Sequence, residues 1–388
     1  MTAEPSRFDR LLRHAFAADA GEPAGAGVAD GPDRPELPVR YVVLGEIAHG
    51  GMGLVLRARD TVLGREVAVK VLRARHRGRG NLTARFVAEA QITGQLQHPG
   101  VPALHEVGIC PDQRPWFSMR LVSGRTLAGR LAERADPSIG VAGLLAVALA
   151  IARTVAYAHA RGVVHRDLKP SNIMVGAFGE VQVMDWGMAK VLGEGGNADE
   201  LRAREAWQPI ATTRSSDAGS ATLAGSIFGT PAYMPPEQAR GEIDRIDRRG
   251  DVFAIGAILC EMLIGRPPYS GTDDEIVGQA RAGAVEPALE EVGRRGVAAD
   301  LVSLVRDCLR PDRDERPVDC GAVAERLAAH LDAVEADRRR AEARAFAERR
   351  TRRLTALVAA VVVAALATAF ASWRAVDIER SRREQEGR

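Results

Sequence analysis

The chain has few aromatic residues, few cysteines and almost no net charge. Phe, Trp and Tyr make up 4% of the 388 residues, so an apolar core must be built mainly from aliphatic side chains. The four cysteines, at positions 110, 260, 308 and 320, form no C-x-x-C pair, which argues against a disulfide scaffold or a cysteine-based zinc site and favours a reducing compartment. Lys and Arg (53) nearly balance Asp and Glu (51), which argues against a dedicated nucleic-acid binder.

The first 38 residues differ in composition from the rest of the chain. Gly and Pro dominate from Gly21 to Pro38, and no apolar periodicity continues long enough to build a helix or a strand. The segment also lacks the continuous apolar run of a signal peptide. We therefore expect a disordered leader over residues 1–38.

Residues 39–331 are predicted to form an α+β body in two lobes. Short apolar runs separated by turns, with one helix from Ala84 to Leu96, predict an antiparallel small lobe over residues 39–122. The runs are Tyr41–Leu44, Leu54–Leu56, Glu66–Leu72, Ala103–Gly108 and Trp116–Val122. Helical spacing dominates residues 123–331, and the helices predicted there are Val141–Ala160, Asp251–Leu263, Ala299–Leu309 and Gly321–Val334.

Residues 354–373 form a run of twenty residues without a charge. A helix of that length spans about 30 Å, the thickness of the hydrocarbon core of a bilayer. Phe370 and Trp373 lie near one end, where an interfacial aromatic belt would place them. The alternative is a buried helix of a soluble protein, since eight of the twenty residues are alanine. We expect a juxtamembrane helix at 332–353, a transmembrane helix at 354–373 and a short extracytoplasmic tail at 374–388.

Two features of the small lobe could bind an anionic ligand. The glycine-rich turn Gly50–Gly53 would let a hairpin approach a ligand closely and turn its N–H groups toward phosphate oxygens, although such a hairpin is more often only a turn. Lys70 ends an apolar run on the third strand, and a half-buried ammonium needs an anionic partner, which Glu89 on the next helix could supply. A surface lysine is the alternative.

The segment His165–Asn172 places a carboxylate, a lysine and an amide in one short loop. Asp167 could accept a proton from a hydroxyl nucleophile, and Lys169 could neutralise charge on a transferring phosphoryl group. Asn172 offers an oxygen to a hard cation such as Mg²⁺. Asp185, which opens an Asp-Trp-Gly triplet after a predicted strand, offers a second carboxylate to the metal.

Taken together, these motifs resemble a protein kinase of the Hanks type, in its bacterial serine/threonine branch. The resemblance runs from about Tyr41 to Leu331 and implies a bilobal kinase fold with a five-stranded N-lobe (39–122) and a mainly helical C-lobe (123–331). It implies ATP and Mg²⁺ as cofactors, with Mn²⁺ as an alternative ion. The positions implied to contact ATP are Ala48, Gly50, Gly51, Gly53, Val55, Ala68, Lys70, Met119, Arg120 and Val122.

The same resemblance assigns roles to the polar residues. Lys70 falls on the lysine that holds the α- and β-phosphates, and Glu89 on its helix partner. Asp167 falls on the catalytic base and Lys169 on the lysine near the γ-phosphate. The implied Mg²⁺ ligands are Asn172 and Asp185. The positions implied to support the site rather than to carry chemistry are Arg166, Thr230, Glu237, Asp251 and Arg316.

Four residues depart from the family pattern. Ala48 stands at the first glycine of the loop, Trp186 replaces a phenylalanine, Pro235 replaces an alanine, and Arg120 stands where an acidic residue is usual. None of these changes removes a charge that phosphoryl transfer requires, which favours an active kinase over the alternative, a membrane-tethered pseudokinase scaffold. A nucleotide-binding oxidoreductase is excluded, because no βαβ unit surrounds the glycine turn.

The long segment after Asp185 predicts a site of regulation, and other features of the sequence predict where the protein lies in the cell. Between Asp185 and Glu237 lie 51 residues, and we expect autophosphorylation there at Thr222, with Ser226 and Ser220 as weaker candidates. The expected substrates are Ser and Thr of proteins. ATP and the reduced cysteines place the kinase domain in the cytoplasm, on a single-pass protein of the inner (cytoplasmic) membrane. A homodimer through residues 332–373 is a further hypothesis.

Overall fold

The computed structural model describes residues 35–192 and 230–386, in two compact units that divide between Ala329 and His330. The first unit holds the strands and most of the helices, and the second is helical. The leader up to residue 34 lies outside the described residues.

The small lobe is a five-stranded antiparallel sheet, which confirms the prediction. Its strands are β1 (Tyr41–His49), β2 (Gly53–Asp60), β3 (Arg65–Leu72), β4 (Leu104–Ile109) and β5 (Pro115–Arg120), in the spatial order β1-β2-β3-β5-β4. Strand β1 continues past the predicted end at Leu44, because its pairing with β2 runs on to the partners His49 and Leu54 across two irregularities.

Helix α1 (Gly80–Gln95) packs on one face of this sheet. Phe86 and Ala90 are buried against Leu72 and Phe117, and the two phenylalanine rings lie 5.1 Å apart. Burial of a side chain of this size stabilises the fold by about 1.5–3 kcal/mol. Because residues three and four apart share a helix face, this packing also turns Glu89 toward the sheet.

The large lobe combines short strands with helices. Its strands are β6 (Arg125–Thr126), β7 (Val163–Val164), β8 (Ile173–Val175), β9 (Val181–Val183) and β10 (Lys190–Val191). Its helices are α2 (Leu127–Ala132), α3 (Val141–Ala160), α4 (Pro236–Ala239), α5 (Arg248–Ile264), α6 (Asp273–Ala282), α7 (Glu286–Arg294) and α8 (Ala299–Cys308). The sequence prediction lacked α2, α4, α6 and α7, which are short.

Helix α5 is the buried centre of this lobe, and most of its residues contact no solvent. Asp247 caps its first turn by accepting a hydrogen bond from the Arg249 N–H, and Gly265 ends it with a φ of 84°, which disfavours other residue types. The cysteines of the chain are buried free thiols, as the prediction of no disulfide requires. Burial raises the pKa of Cys260 and of Cys308 to about 12, so both stay protonated.

Helix α9 runs from Cys320 to Glu386 and includes the predicted juxtamembrane and apolar segments. Two described helices contain stretches long and apolar enough to cross a membrane. One is α3, half of which is buried in the large lobe, as expected of a core helix. The other is α9, whose apolar window is not buried within the described residues.

A buried ion pair joins α4 to the chain ahead of α9. Both guanidinium Nη atoms of Arg316 donate to Glu237, at 2.8 and 2.9 Å, and both residues are almost fully buried. Arg316 also donates to the carbonyl of Arg310 at 2.7 Å and lies 5.0 Å from the ring of Phe253. Because Glu237 and Arg316 are both shielded from water, each side chain needs the opposite charge of the other to offset the cost of its burial.

We predict that Glu237→Ala destabilises the protein by about 3–5 kcal/mol, because it leaves the Arg316 charge buried and unpaired. The free energy of unfolding in urea measures this loss. Glu315→Ala is the matched control, since it removes the exposed pair between Arg310 and Glu315 and should lower stability by less than about 1 kcal/mol. Equal losses in the two variants would contradict the prediction.

Candidate active site

Lys70 is held between two carboxylates from different parts of the chain. Its Nζ donates to Glu89 Oε1 at 2.5 Å and to Asp185 Oδ1 at 3.3 Å, and its side chain is only 13% exposed. Burial acts to lower the pKa of Lys70, but the charges of Glu89 and Asp185 outweigh it and hold that pKa above its usual value. The ammonium is therefore charged, and the surface-lysine alternative is wrong.

Asp185 lies two residues after β9, in a left-handed backbone conformation. The positive charge of Lys70 lowers the pKa of the Asp185 carboxyl below its usual value, so the carboxylate is ionised. At Gly187 a Cβ atom would lie 3.0 Å from Glu89 Oε2 and 3.2 Å from Asp185 Oδ1. A glycine at this position therefore leaves room for the carboxylates of Glu89 and Asp185 close to the backbone.

Trp186 fits its position although it is larger than the phenylalanine of the pattern. The side chain is 1% exposed, and its ring centre lies 4.6 Å from that of His165. Its indole N–H donates to the carbonyl of Val183 at 3.1 Å, so the one polar atom that the replacement introduces is satisfied.

Three polar residues, Lys169, Asn172 and Thr230, form one hydrogen-bonded group with Asp167. Lys169 Nζ donates to Asp167 Oδ2 at 2.8 Å and to Thr230 Oγ1 at 2.9 Å. Asn172 Nδ2 donates to the Asp167 carbonyl at 2.9 Å and to Asp167 Oδ2 at 3.2 Å. One carboxylate oxygen of Asp167 therefore takes both contacts, and Oδ1 takes neither.

Two hydrogen bonds to the backbone of Met184 tie this loop to the segment that carries Asp185. The Met184 N–H donates to the Asn172 carbonyl at 2.7 Å, and His165 Nε2 donates to the Met184 carbonyl at 3.0 Å. Asn172 and Asp185 are thereby brought to one region. Since Asn172 makes its contacts through Nδ2, its oxygen Oδ1 is directed elsewhere.

The donor set suits Mg²⁺ better than a metal that needs an all-protein site. Among residues 35–192 and 230–386, no group of three or more His, Cys, Asp or Glu side chains could hold a metal ion. Mg²⁺ usually binds through one or two protein oxygens together with phosphates and water. The ionised Asp185 and the amide oxygen of Asn172 fit that pattern.

The loop His165–Asn172, predicted to be the catalytic loop, is held in place by Asp251 on α5. Its fully buried carboxylate accepts the N–H groups of His165 at 2.8 Å and Arg166 at 2.9 Å, and His159 Nε2 donates to it at 2.9 Å. Burial alone would raise the pKa of Asp251, but the contacts from His159 and the backbone lower it. These contacts hold Arg166 at a φ of 69°, which is unfavourable for a residue with a side chain. His159 was absent from the sequence prediction.

The residues predicted to contact a nucleotide lie on β1, β2, β3 and β5, in the turn between β1 and β2, and just after β5. The Gly50 N–H donates to the Gly53 carbonyl at 3.0 Å and closes the glycine turn. A Cβ on Gly53 would lie 3.2 Å from Lys70 Cε, so the turn lies directly over that lysine. In the sheet the pairs are Ala48 with Val55, Val55 with Lys70, Ala68 with Met119, and Val67 with Arg120. Gly51 lies at the tip of the turn, and Val122 follows the end of β5.

Comparison with known families decides the classification. A family model for the protein kinase domain matches residues 41–330, about three quarters of the chain. The chain belongs to the protein kinase family.

Related kinases are bacterial serine/threonine-protein kinases. The match to PknD of Protochlamydia amoebophila is 32% identical over 72% of this chain, and that to PknB of Mycobacterium tuberculosis is 33% identical over 70%. The match to pkn3 of Myxococcus xanthus is 34% identical over 83%. The matched region covers 29%, 40% and 54% of the lengths of these three relatives, respectively.

The structure brings Lys70, Glu89 and Asp185 into one cluster and Asp167, Lys169, Asn172 and Thr230 into another. The supporting positions Arg166 and Asp251 contact each other, as do Glu237 and Arg316. The predicted phosphorylation sites Thr222, Ser226 and Ser220 lie outside the described residues.

We predict that Asp251→Asn loosens the catalytic loop, because an amide presents an N–H group where the carboxylate accepts one. The His165 and Arg166 amides should exchange with deuterium at least about tenfold faster, since each loses a charge-assisted hydrogen bond. Hydrogen exchange followed by mass spectrometry measures this. Asp307→Asn, at a partly exposed carboxylate paired with Arg326, is the control. Unchanged exchange in Asp251→Asn would contradict the prediction.

Proposed function

We propose that this chain is an active serine/threonine protein kinase that transfers the γ-phosphoryl group of ATP to Ser and Thr hydroxyls of proteins. The observation that carries the proposal is the hydrogen-bonded set of Asp167, Lys169, Asn172 and Thr230 beside a charged Lys70. The named serine/threonine kinases among its relatives support the same substrate class.

Each residue has a chemical task in this proposal. Asp167 accepts the proton of the substrate hydroxyl, through the Oδ1 atom that Lys169 and Asn172 do not engage. The hydroxyl oxygen forms a bond to the γ-phosphorus as the bond to the β-phosphate oxygen breaks, and Lys169 neutralises charge on the transferred group. Lys70 binds the α- and β-phosphates. Asn172 and Asp185 would hold Mg²⁺, which supplies further positive charge at the phosphates.

The pseudokinase scaffold is the weaker alternative. A pseudokinase typically lacks a charge that the reaction needs, whereas Lys70, Asp167 and Asp185 are all present here. Lys70 contacts Asp185 directly. The loop that carries Asp167 is hydrogen-bonded to Met184, the residue before Asp185. The ion pair of Lys70 with Glu89 and the approach of Asp185 to Lys70 are both formed, and kinase activity requires both elements in place.

We predict that Asp167→Asn lowers phosphate incorporation into Ser and Thr by about 10²–10⁴-fold, because the general base is lost. The assay uses the full chain in detergent with Mg-ATP, and titration with a fluorescent ATP analogue shows that binding is retained. Asp332→Asn, an equal change at an exposed position of α9, should behave as the wild type. Equal activity in Asp167→Asn and the wild type, or no activity in any of the three, would contradict the proposal.

We further propose that residues 354–373 cross the inner membrane once, with the kinase domain (39–331) in the cytoplasm. Side chains along this segment are solvent-exposed apolar groups, and an unbroken apolar surface of this length is unfavourable in water. Examples exposed by 61–65% are Leu357, Val361, Val363, Leu366 and Phe370. Residues 374–388 would then lie outside the cytoplasm.

The arginines of the preceding helix support this orientation. Arg338, Arg339 and Arg340 are paired with acidic residues one turn away. The four arginines nearest the span on its N-terminal side have no ion pair within the described part of the chain. They are Arg349, Arg350, Arg352 and Arg353. Uncompensated positive charge next to a span favours the cytoplasmic side.

We predict that the double variant Val362→Glu/Leu366→Glu no longer stays in the membrane, because each charge near the centre of a span costs about 2.5–3.5 kcal/mol. The measurement is the fraction that remains in the membrane pellet after extraction at alkaline pH. Val318→Glu makes the same chemical change at an exposed apolar residue of the kinase body and should remain in the pellet. Release of the wild-type chain by the same extraction would contradict the span.

Regulation by autophosphorylation at Thr222, Ser226 or Ser220 belongs to the same proposal. Burial lowers the pKa of Lys190, the charge of Arg166 lowers it further, and the carboxylates of Asp244 and Asp247 act to raise it. An arginine directly before Asp167, such as Arg166, can pair with a phosphate and order the loop. A homodimer through residues 332–373 remains a hypothesis.

A further inference from the structure

The linker between β3 and α1 contacts the tip of the glycine turn. A short 3-10 turn, Ala74–His76, lies in this linker. Arg75 Nη2 donates to the Gly51 carbonyl at 2.8 Å, and His76 Nε2 lies 2.8 Å from the same oxygen. Two side chains from outside the turn thus converge on one backbone carbonyl.

The neighbouring residues add two weaker contacts to the same turn. Arg73 Nη1 lies 3.5 Å from the Gly50 carbonyl, and the Arg73 N–H donates to the Met52 carbonyl at 3.2 Å. The linker therefore engages three successive carbonyls of the turn, those of Gly50, Gly51 and Met52.

The contact of His76 with the Gly51 carbonyl favours one tautomer of the ring. A carbonyl oxygen only accepts hydrogen bonds, so Nε2 must carry the proton that it donates to Gly51. Arg75 Nε also lies 3.2 Å from this Nε2, but a protonated Nε2 has no lone pair to offer it. In this tautomer both side chains donate to the Gly51 carbonyl, and Arg75 Nε makes no hydrogen bond to His76.

Anchoring a carbonyl also orients the next N–H group. In a trans peptide the C=O and the following N–H point in opposite directions. Holding the Gly51 carbonyl toward Arg75 and His76 thus directs the Met52 N–H away from them. The contact at Gly50 acts in the same sense on the Gly51 N–H.

The turn needs such an anchor because sterics do not fix its tip. A Cβ on Gly51 would meet nothing within 4 Å, whereas one on Gly53 would meet Lys70. An unanchored glycine explores many backbone conformations, and ordering one residue costs about 1–2 kcal/mol.

We propose that Arg75 and His76 form a carbonyl clasp, a pair of positioning residues that hold the glycine turn ready to bind the phosphates of ATP. This inference rests on the proposed function. The clasp lowers the entropy lost on nucleotide binding, and it does not touch the reacting atoms. Its loss should therefore weaken ATP binding and leave the rate of the bound complex nearly unchanged.

The test compares the wild type with Arg75→Ala/His76→Ala in the full chain in detergent. The Kd of the fluorescent analogue N-methylanthraniloyl-ATP with Mg²⁺ should rise about 5–10-fold, the loss expected for one or two hydrogen bonds. The KM for ATP should rise equally, with kcat within about twofold of the wild type.

Two further variants separate the clasp from simple loss of charge. His76→Gln retains a side-chain N–H donor at this position, whereas His76→Ala removes it. The affinity of His76→Gln for the ATP analogue should therefore be closer to that of the wild type than the affinity of His76→Ala is. Arg77→Ala removes one positive charge from the same linker, and Arg77 is exposed with no side-chain hydrogen bond or ion pair within the described residues. It should leave Kd unchanged. An equal rise of Kd in Arg77→Ala, or no rise in the double variant, would overturn the clasp.

A measurement without nucleotide distinguishes failure of the clasp from failure of the proposed function. Hydrogen exchange of the amides of residues 50–53 should be faster in the double variant than in the wild type. Faster exchange in a chain that binds no ATP analogue would overturn the proposed function alone. Unchanged exchange would overturn the clasp, whether or not the nucleotide binds.

Discussion

A lysine ammonium that has lost most of its contact with water needs negative charge beside it, because an unpaired buried charge costs several kcal/mol. Lys70 on β3 finds that charge in Glu89 on α1 and in Asp185 after β9. A single cation therefore fixes the face that α1 turns to the sheet and brings a carboxylate of the large lobe to the small lobe. The rest of the candidate site is built around this contact.

Asp251 provides the complementary constraint in the large lobe. It accepts two successive backbone N–H groups and holds Arg166 in a left-handed conformation that the loop would not adopt alone. Asp167 follows directly, and its carboxylate is oriented by Lys169 and Asn172. The polar groups of the site are thus set by buried contacts before any substrate is present, which limits the reorganisation needed during the reaction.

The sequence predicted the five strands of the small lobe and the polar residues of the site because each lies in a short contiguous motif, whereas the two- and three-residue strands β6, β8 and β10 were missed. Helix α6 was missed, although Thr272 and Glu275 form a capping box that signals its start. His159 was missed because a histidine on an apolar helix gives no sign that its partner, Asp251, lies 92 residues away. Arg75 and His76 were missed because a run of basic residues normally indicates a solvated linker. Contacts between distant segments need the fold.

The central claim is that Lys70, held by Glu89, binds the phosphates of ATP. The most direct test is a double-mutant cycle on the Kd of Mg-ATP with Lys70→Met, Glu89→Gln and the combined variant. If Glu89 acts through Lys70, the combined variant should lose no more affinity than Lys70→Met alone, with a coupling energy of about 1–3 kcal/mol. Independent, additive losses would contradict the claim.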